Sequence, residues 1–382
     1  MLSRYNTVRA LTVPMTQQPL RVDDLDYELP RELIATRPAE PRDSARLLIM
    51  YGNGNAIEHR HVRDLPDYLR AGDTLVFNRT AVMPARLVGR RVDTGGRVEG
   101  LFLEEVAPGQ WLVMLRSNGR LRAGQRVQLL DPDGQPYESA LELVEPRPEG
   151  WLVSAGGSQR VSAMLDRAGW TPLPPYILRA RGEEKFRDAL DRQWYQTTFA
   201  DPRERRSVAA PTAGLHFTPE LLARIENRGV RRIDVVLDIG LGTFKPITAE
   251  TIDQHPMHAE RFVVEPSVIE AIQQAHNPAQ GSGRIIAVGT TVVRTLESLP
   301  ALLPDPASLS EPVIGRTELL ISPPYRFKHV DGMLTNFHLP RSTLLALVGA
   351  MVGLDRIKAA YRVAISQRYR FYSYGDAMLI LP

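Results

Sequence analysis

The 382-residue sequence contains no cysteine and no long hydrophobic run. The lack of cysteine excludes disulfide bonds, thiolate zinc sites and a cysteine nucleophile, and it is compatible with a reducing compartment. The longest apolar run, from Thr343 to Leu354, is about half the length of a membrane span. Residues 1–20 have no sustained apolar core, so we expect a flexible N-terminal tail there and not a signal peptide. These absences predict a cytoplasmic protein without a membrane partner.

Lysine is also scarce, because only four of the 47 basic residues are lysines and the rest are arginines. The guanidinium group binds phosphate through a planar fork of donors, so this composition leaves nucleic-acid binding open. A coding bias for arginine would produce the same composition, and the net charge is only +3. The hydrophobic content of 43% and the chain length are typical of a globular protein with two domains.

Residues 72–157 are rich in valine, leucine and aromatic residues, and closely spaced turn signals such as Asn118-Gly119 and Asp133-Gly134 divide them. Short strands separated by such turns are typical of a small barrel or sandwich. We therefore predict an all-β barrel domain over residues 72–157. Its predicted strands are Thr74–Asn78, Ala85–Val92, Val98–Val106, Trp111–Ser117, Gln125–Leu130, Leu141–Glu145 and Trp151–Ala155.

After residue 158, strand-like and helix-like segments alternate, which favours a layered α/β domain. The segment 21–71 is too short to fold alone, so we assign it to this α/β domain together with residues 158–382. The β-barrel domain is then an insertion into the α/β domain. The predicted strands are Ile233–Ile239, Ile285–Val288, Glu318–Ser322 and Ala377–Leu381, and the predicted helices include Val161–Arg167, a helix capped by Thr218, Thr291–Leu299 and Ser342–Leu354.

Three loops that lead into predicted helices carry an unusual density of polar groups. Helix N termini offer free N–H groups and partial positive charge, and open α/β sheets bind ligands at the carboxyl ends of their strands. These loops therefore indicate a ligand-binding cleft on the α/β domain, although packing of a lone histidine and ordinary N-capping remain alternative explanations. Their notable residues are Gly214, His216, Thr290, Thr291, Arg294, Asp331, Thr335, Asn336 and His338.

Two further patterns do not match the motifs they resemble. Gly240-Leu-Gly-Thr-Phe follows a predicted strand, but it lacks both the third glycine of a dinucleotide fingerprint and the lysine of a phosphate loop. The segment from His255 to Glu260 contains His258 as well, but the spacing of these potential ligands fits no standard zinc pattern. We therefore predict no metal and no nucleotide cofactor, and we favour acid–base use of His258 or Glu260.

Eleven segments, taken together and in order, resemble the S-adenosylmethionine:tRNA ribosyltransferase-isomerase family of the queuosine pathway. Any one of them is a weak signal, whereas the ordered set is specific and extends from about residue 22 to the C terminus. The segments are Tyr27–Ala35, Arg42–Leu48, Gly72–Asn78 with Pro84–Leu87, Pro172–Ile177, Tyr195–Thr197, Val208–Thr218, Gly240–Phe244, His255–Glu260, Ala287–Ser298, Thr335–Leu345 and Tyr374–Ile380.

The resemblance implies an α/β domain that carries an inserted β-barrel, and it implies a reaction. The ribosyl part of S-adenosylmethionine is moved onto the aminomethyl nitrogen of 7-aminomethyl-7-deazaguanine at the wobble position of a tRNA. The sugar rearranges to an epoxycyclopentanediol, which gives epoxyqueuosine, and adenine and methionine leave. S-adenosylmethionine is a co-substrate in this scheme, so we expect no cofactor.

The resemblance also suggests residue roles, which we state as hypotheses. Thr290, Thr291 and Arg294 would hold the methionine or sugar end of the donor, and Asp376 would read the guanine-like edge of the acceptor. The proposed proton-transfer residues are His216, His258, Asp331 and His338. The proposed substrate-binding residues are Arg46, Thr212, Gly242, Thr243, Thr290, Thr291, Arg294, Asn336, Tyr374 and Asp376.

The resemblance also implies contacts with tRNA, and one residue departs from the family pattern. The tRNA anticodon region would be held through phosphate contacts by Arg179, Arg181, Arg203, Arg205 and Arg206, and a monomer is slightly favoured. Asp238 departs from the family pattern, since a histidine is usual there. A paralogue that uses the same donor on another amine, or a catalytically inactive tRNA-binding protein, therefore remains open.

Overall fold

The computed structural model describes residues 19–54, 56–156, 160–182, 188–240, 247, 249–277 and 283–382. The chain divides into two compact units. Unit 1 comprises Met1–Thr80, Thr197–Glu204 and Pro211–Pro382, and unit 2 comprises Ala81–Gln196 and Arg205–Ala210. None of the helices formed by the described residues is long and apolar enough to cross a membrane.

The strands and helices are numbered in chain order. The strands are β1 (Arg46–Tyr51), β2 (Ile57–His61), β3 (Thr74–Asn78), β4 (Ala81–Val82), β5 (Arg86–Arg91), β6 (Arg97–Ala107), β7 (Gln110–Ser117), β8 (Arg126–Leu130), β9 (Pro136–Arg147), β10 (Gly150–Ser154), β11 (Arg205–Ser207), β12 (Arg231–Leu237), β13 (Glu260–Val264), β14 (Ile285–Val288), β15 (Val313–Thr317), β16 (Gly332–Asn336) and β17 (Ala377–Leu381). The helices are α1 (Val161–Ala168), α2 (Pro175–Arg181), α3 (Asp188–Trp194), α4 (Pro219–Glu226), α5 (Pro266–Ala275), α6 (Thr290–Glu297), α7 (Thr343–Val352) and α8 (Leu354–Ser366).

Unit 1 is built on a nine-stranded sheet with the order β15-β13-β12-β3-β14-β16-β17-β1-β2. Its centre is parallel, because β3 pairs in parallel with both β12 and β14, and β14 pairs in parallel with β16. The remaining pairs are antiparallel except for β1 with β17. The central strands β3, β14 and β16 are buried along their whole length, as expected for strands covered on both faces.

Local sequence explains the helices that border this sheet. Thr218 caps α4 by accepting a hydrogen bond from the backbone N–H of Leu221, and Pro219 occupies the first turn. Leu221 and Ile225 then face a core that includes Phe77 and Leu334. Full burial of each such side chain contributes roughly 1.5–3 kcal/mol, so the apolar face of α4 holds it on the sheet.

Unit 2 contains a closed six-stranded barrel with the order β10-β7-β6-β5-β8-β9, together with α1, α2, α3 and the small β4–β11 pair. Alternate residues of the barrel strands form its core, which includes Trp111 and Val113. At Gly100 and Gly150 the next strand passes so closely that a Cβ would lie 2.1 and 2.3 Å from a backbone oxygen. The barrel therefore requires glycine at both positions.

The predicted fold class is confirmed, since the structure combines a layered α/β unit with a closed antiparallel barrel. Several predicted elements are wrong. Thr74–Asn78 is not a barrel strand; it is β3, in the centre of the large sheet. The unit that contains the barrel therefore begins at Ala81 and not at residue 72, and it extends beyond residue 157 to Gln196, with Arg205–Ala210 in addition. Residues 318–322 form no strand, whereas Val313–Thr317 does. The predicted helix Ser342–Leu354 ends at Val352, because Gly353 adopts φ +90° before α8 begins.

Candidate active site

The parallel centre of the sheet collects polar groups at one edge of unit 1. The strands β3, β12, β14 and β16 all end at this edge, whereas β13, β17 and β1 begin there, as their registers show. The 3-10 turn Thr212–His216 packs against β16. Ligands of open α/β sheets bind at such a carboxyl edge, so the polar side chains there are the first candidates for a binding site.

A hydrogen-bond chain joins three segments at this edge. Thr212 lies in the 3-10 turn, and its Oγ1 donates to Oδ1 of Asn336 over 2.9 Å. Asn336 is the last residue of β16, and its Nδ2 donates to the carbonyl oxygen of Tyr372 over 3.1 Å. Tyr372 has φ +73°, a left-handed conformation that is rare for a bulky residue. The structure thus brings two predicted site residues, Thr212 and Asn336, into direct contact.

The start of α6 lies at the end of β14, where the first-turn N–H groups of the helix and a threonine hydroxyl can donate hydrogen bonds. Gly289 precedes the helix with φ +98° and provides no side-chain cap. Its own N–H donates to the carbonyl oxygen of Leu334 over 2.8 Å, which holds the loop on β16. The hydroxyl of Thr291 is buried and has no hydrogen-bond partner among the described residues. An uncapped helix start with an unused hydroxyl can accept an anionic or hydroxyl-bearing ligand.

Arg294 lies one turn further along α6 and is only 7% exposed. Its Nη1 forms an ion pair with Glu260 over 2.5 Å, and its Nε donates to the carbonyl oxygen of Leu319 over 3.1 Å. Glu260 in turn accepts from the backbone N–H of Gly240 over 3.2 Å. Within the part of the chain that the structure describes, the buried Nη2 group of Arg294 has no hydrogen-bond partner. The arginine is therefore held in place by Glu260 and retains one donor that a ligand carboxylate would satisfy.

His216 is buried, at 4% exposure, and both ring nitrogens face backbone carbonyls. Nδ1 lies 3.0 Å from the oxygen of Ala213, and Nε2 lies 2.9 Å from the oxygen of Gly375. Burial lowers its pKa, although both contacts favour the protonated ring. Both ring nitrogens are thus occupied by carbonyl contacts. The ring can exchange a proton with a substrate only if one of these contacts opens. The ring links the 3-10 turn to the segment before β17.

Gly214 lies beside His216 for a packing reason. A Cβ at this position would lie 2.7 Å from Cζ of Phe199 and 3.1 Å from Cγ2 of Thr197. Only glycine lets the turn pack this closely against the aromatic cluster, in which Phe77 contacts Phe199.

His338 is enclosed by its own loop. Its Nε2 lies 2.8 Å from the hydroxyl of Thr335, and its backbone N–H donates to the hydroxyl of Tyr361 over 2.8 Å. Tyr27 donates its hydroxyl to the carbonyl oxygen of His338. Burial lowers the pKa of the ring to about 3, so it is neutral near pH 7. The ring is therefore held by Thr335 in its neutral form, and the predicted role of His338 in proton transfer stays a prediction.

Asp331 does not lie with the other predicted catalytic residues. It immediately precedes β16, so five steps of about 3.3 Å each along the chain lead from it to Asn336 at the other end of that strand. Its carboxylate accepts from the backbone N–H of Ile285 over 2.8 Å and contacts Nε2 of His276 at 3.1 Å. The prediction that Asp331 shares a loop and a cleft with His338 is therefore wrong, because the intervening residues form a buried strand.

His258 is exposed, and the described residues contain no group of three or more histidine, cysteine or acidic side chains arranged to hold a metal. Asp238, the departure from the family pattern, forms an ion pair with Arg261 over 3.2 Å and donates its backbone N–H to the carbonyl of the same residue. The predicted site residues Gly242 and Thr243 lie outside the described residues.

The carboxylate of Asp376 is used by the protein itself. It accepts from the backbone N–H groups of Arg46 and Arg370 over 2.9 and 2.7 Å and is almost fully buried. The guanidinium of Arg46 stacks 3.7 Å above the ring of Tyr369. Tyr374, two residues before Asp376 in the chain, is also buried. Each carboxylate oxygen therefore accepts one backbone N–H and keeps a second acceptor site, and reading of the acceptor base by Asp376 stays a prediction.

Three of the five arginines predicted to bind tRNA are already paired. Arg181 forms a buried ion pair with Asp191 at 2.7 Å, Arg203 pairs with Asp201 and Arg205 pairs with Asp166. Arg179 and Arg206 are exposed. The prediction treated all five as available cations. The Arg203–Asp201 pair is local in sequence, whereas the Arg205–Asp166 pair joins residues far apart in the chain and has no local sequence signal.

Sequence reasoning missed Tyr372 at the site and Glu297 at the opposite, amino edge of the sheet. Tyr372 gave no signal, because a left-handed φ at a non-glycine residue has no sequence signature. Glu297, on α6, was also missed. It is almost fully buried and accepts from the backbone N–H groups of Lys328, His329 and Val330, which fixes the segment before β16. An acidic residue on the apolar face of a predicted helix was the only available clue.

Comparisons with known proteins agree on one family. The family model described as queuosine biosynthesis protein matches residues 22–380. An S-adenosylmethionine:tRNA ribosyltransferase-isomerase of Symbiobacterium thermophilum is 47% identical over 363 residues, covering 95% of this chain and 100% of the relative. One of the same name from Parvibaculum lavamentivorans is 46% identical, covering 94% and 99%. A crystal structure of an S-adenosylmethionine tRNA ribosyltransferase from Thermotoga maritima is 33% identical and covers 94% of this chain and 100% of that chain, with a TM-score of 0.49.

Proposed function

Because the chain belongs to the queuosine biosynthesis protein family, we propose that it is an S-adenosylmethionine:tRNA ribosyltransferase-isomerase. The ribosyl moiety of S-adenosylmethionine is transferred to the amine of 7-aminomethyl-7-deazaguanine in tRNA and is isomerised to the epoxycyclopentanediol of epoxyqueuosine. Adenine and methionine are the leaving products. The family assignment rests on identity along nearly the whole chain, and the geometry of the carboxyl edge supplies candidate residues.

The chemistry requires proton transfers at two places on the donor. The positively charged sulfonium acidifies the adjacent C5′ protons, so a modest base can remove one of them. Adenine leaves poorly as an anion, so a proton or a hydrogen bond must assist its departure. The amine of the acceptor forms the new bond to carbon and loses a proton. No step in this sequence transfers electrons to an external acceptor, and we propose that no cofactor is needed.

The donor site that we propose is the carboxyl edge of the sheet in unit 1. The single observation that supports it best is the unpartnered Nη2 of buried Arg294, next to the uncapped start of α6. In this proposal Arg294 binds the methionine carboxylate, and the hydroxyl of Thr291 with the N–H groups of α6 binds the donor beside it. Thr212 and Asn336 contact the ribose hydroxyls.

The catalytic groups are assigned by their distance from that edge. His216 belongs to the same 3-10 turn as Thr212, so it is our first candidate for a proton transfer, provided that one carbonyl contact opens. His258 is the second candidate, since it is exposed and precedes Glu260 by two residues. A fall in turnover of less than tenfold on His216→Ala would remove His216 from the catalytic list.

The remaining assignments concern partners. We propose that the protein binds the anticodon region of its tRNA, where the modified base must be exposed for reaction. A tRNA substrate supports a cytoplasmic location. We propose a monomer as the active form, and size-exclusion chromatography with light scattering tests that statement.

The first test is release of adenine from S-adenosylmethionine by the purified protein. Adenine should appear only with tRNA that carries the aminomethyl-deazaguanine base, and the mass of the RNA should increase accordingly. Unmodified tRNA is the matched control. No adenine with either tRNA, in protein shown to be folded, would refute the proposed function.

A further inference from the structure

The side chain of Arg46, the first residue of β1, lies on an aromatic ring at the carboxyl edge of unit 1. Its guanidinium carbon is 3.7 Å from the ring centroid of Tyr369. An edge-on guanidinium would bring a nitrogen about 0.7–1.3 Å closer to the ring than its carbon, inside van der Waals contact, because its C–N bonds are about 1.33 Å long. The two planes are therefore stacked, and we call this pair the Arg46–Tyr369 platform.

Both members of the platform are held in place by other residues. Nη1 of Arg46 donates to the carbonyl oxygen of Gln367 over 2.6 Å. The hydroxyl of Tyr369 lies 2.8 Å from Nδ1 of His59, and the ring of Phe337 packs edge-on against Tyr369 with 5.5 Å between the centroids. A planar group that is fixed before binding loses little conformational entropy when a ligand covers it.

The guanidinium, and not the phenol ring, is the part of the platform that a ligand can reach. Tyr369 is fully buried, whereas Arg46 is half-buried and keeps part of its surface in solvent. Within the part of the chain that the structure describes, Arg46 forms no ion pair with a carboxylate and stacks on no second ring. Because one face of its guanidinium lies on Tyr369, a ligand would contact the other face.

The strand register places Asp376 on the same face of the sheet as Arg46. Leu47 is the register partner of Ala377, and both side chains belong to one core cluster. Arg46 and Asp376 each lie one residue earlier in the chain, so they face the opposite way, since side chains alternate along a strand. The contacts agree with this placement, because Asp376 accepts the backbone N–H of Arg46 over 2.9 Å.

A second cation lies beside the platform. Arg370 follows Tyr369 in the chain, and its Nε lies 3.5 Å from Oδ1 of Asp376. Two arginines and one carboxylate therefore share this end of β1 and β17, which leaves a net positive charge. The same segment reaches the proposed donor site, since the carbonyl oxygen of Gly375 lies 2.9 Å from Nε2 of His216.

A fixed guanidinium plane in a positive environment suits an unpaired nucleobase. Bases of single-stranded RNA stack on aromatic side chains and on arginine guanidinium planes. Such stacking accepts any base, because every base has a π face. The phosphates that flank a stacked nucleotide are attracted by the net positive charge. A phosphate contact alone would need neither the ring beneath Arg46 nor the fixed plane.

We propose that the Arg46–Tyr369 platform stacks an unpaired base of the tRNA anticodon loop. The inference rests on the proposed function, which supplies the RNA partner, and it gives Arg46 a specific role in substrate binding. Arg46 contacts the base and takes no part in the proton transfers. Tyr369 is a positioning residue, because it is fully buried and acts only by holding the guanidinium plane.

The test combines a protein variant with a change in the RNA. Arg46→Lys keeps the positive charge and removes the plane. The RNA is an anticodon stem-loop with the aminomethyl base at the wobble position, and three further loops each carry one abasic ribose, at that position or at one of its two neighbours. The matched control is Arg167→Lys, since Arg167 in unit 2 also lies over a tyrosine ring, at 5.3 Å from the centroid of Tyr137. Dissociation constants are measured by fluorescence anisotropy.

Loss of one stacked base, or of the group on which it stacks, should weaken binding about 5- to 150-fold. The unmutated protein should show this loss with one of the three abasic loops, and Arg46→Lys should show it with the intact loop. With that abasic loop, Arg46→Lys should bind within about twofold of the unmutated protein, because the contact is already absent. The salt dependence of binding should not change, since lysine keeps the charge. Arg167→Lys should bind every loop as the unmutated protein does.

Three results would refute the platform. They are insensitivity of the unmutated protein to all three abasic loops, intact-loop affinity of Arg46→Lys within about twofold of the unmutated value, and a loss in Arg46→Lys that is equally large with the intact loop and every abasic loop. A melting temperature identifies a variant that fails to fold. Arg46→Met, which keeps an unbranched stem on the ring, then replaces Arg46→Lys, with the same expected dependence on the abasic loop.

A separate measurement distinguishes failure of the platform from failure of the proposed reaction. Adenine release from S-adenosylmethionine is measured with the unmutated protein and the tRNA that bears the aminomethyl base. No release refutes the reaction. Release of adenine together with any of the three results above refutes only the platform.

Discussion

Replacement of Arg294 by lysine tests the proposed donor site most directly. Lysine keeps the positive charge opposite Glu260, so the buried carboxylate is not left without a partner. It removes the planar fork, including the Nη2 donor that has no partner and the Nε that donates to the carbonyl of Leu319. The perturbation therefore separates the ion pair, which is kept, from the extra donor, which is removed.

The magnitude follows from the bond that is removed. A hydrogen bond to a charged group contributes about 1.5–3 kcal/mol. If Nη2 binds the donor carboxylate, removal of that bond should weaken binding of S-adenosylmethionine roughly 10- to 150-fold, at tenfold per 1.4 kcal/mol. The missing bond from the charged Nε to the carbonyl oxygen of Leu319 should lower the free energy of unfolding by about 1.5–3 kcal/mol.

The assay is equilibrium binding of S-adenosylmethionine by calorimetry, together with urea unfolding. The matched control is Arg284→Lys, since Arg284 also forms an ion pair, with Asp73, and donates to the carbonyl of Tyr68. Asp73 immediately precedes β3 and Arg284 immediately precedes β14. This ion pair therefore lies at the amino edge of the same strands. The control should lose stability without losing donor affinity.

Two results would contradict this reasoning. Binding of S-adenosylmethionine by Arg294→Lys within about twofold of the unmutated protein, well below the change that a charged hydrogen bond produces, would show that Nη2 does not contact the donor. Equal weakening by Arg284→Lys would show that general loosening of unit 1, and not a missing hydrogen bond, reduces the affinity.

Three further predictions concern the same unit. Gly214→Ala places a methyl group against the phenyl ring packed on the turn and should lower the free energy of unfolding by about 1–3 kcal/mol in urea titrations; unchanged stability would disprove the close packing. Thr212→Val leaves Oδ1 of buried Asn336 without its donor, which costs about 1–3 kcal/mol, and should also raise the KM for S-adenosylmethionine in the adenine assay; an unaltered KM would exclude a ribose contact there. The pKa of His276 is raised mainly by its hydrogen bond to Asp331. This interaction therefore stabilises the fold fully at pH values below the unfolded-state pKa of about 6.5. The stabilisation disappears as the pH rises through the pKa of the folded state. His276→Gln should therefore reduce unfolding free energy more at pH of about 5.5 than at about 8.5, on either side of that pKa, and the same reduction at both values would contradict the ion pair.

The positions of most secondary-structure elements followed from local sequence. Alternating apolar residues between turn signals predicted the barrel strands, because each such strand buries one face and the pattern has a period of two. The cap at Thr218 predicted the start of α4 for a local reason as well, since the side chain bonds to a backbone group three residues away. These features depend on neighbours in the chain and are visible without a tertiary structure.

The sheet membership of β3 was decided by tertiary structure. The segment Thr74–Asn78 has the same composition as a barrel strand, and only its pairing with β12 and β14, which lie far along the chain, assigns it to the other unit. Similarly, the flanking residues of 332–336 favour a polar loop, yet pairing with β14 and β17 makes this segment a buried strand. The predicted position of Asp331 was consequently at the wrong edge.

The sequence by itself determined the family, the fold class, the carboxyl-edge loops and the residue types at each helix start, since ordered motifs and local periodicity carry that information. Tertiary structure alone decided which polar groups are already occupied. Asp376 binds backbone N–H groups, His216 lies between two carbonyls, and Arg294 retains one open donor. The physical reason is that a hydrogen bond or an ion pair depends on distances between residues far apart in the chain, and no local pattern records those distances.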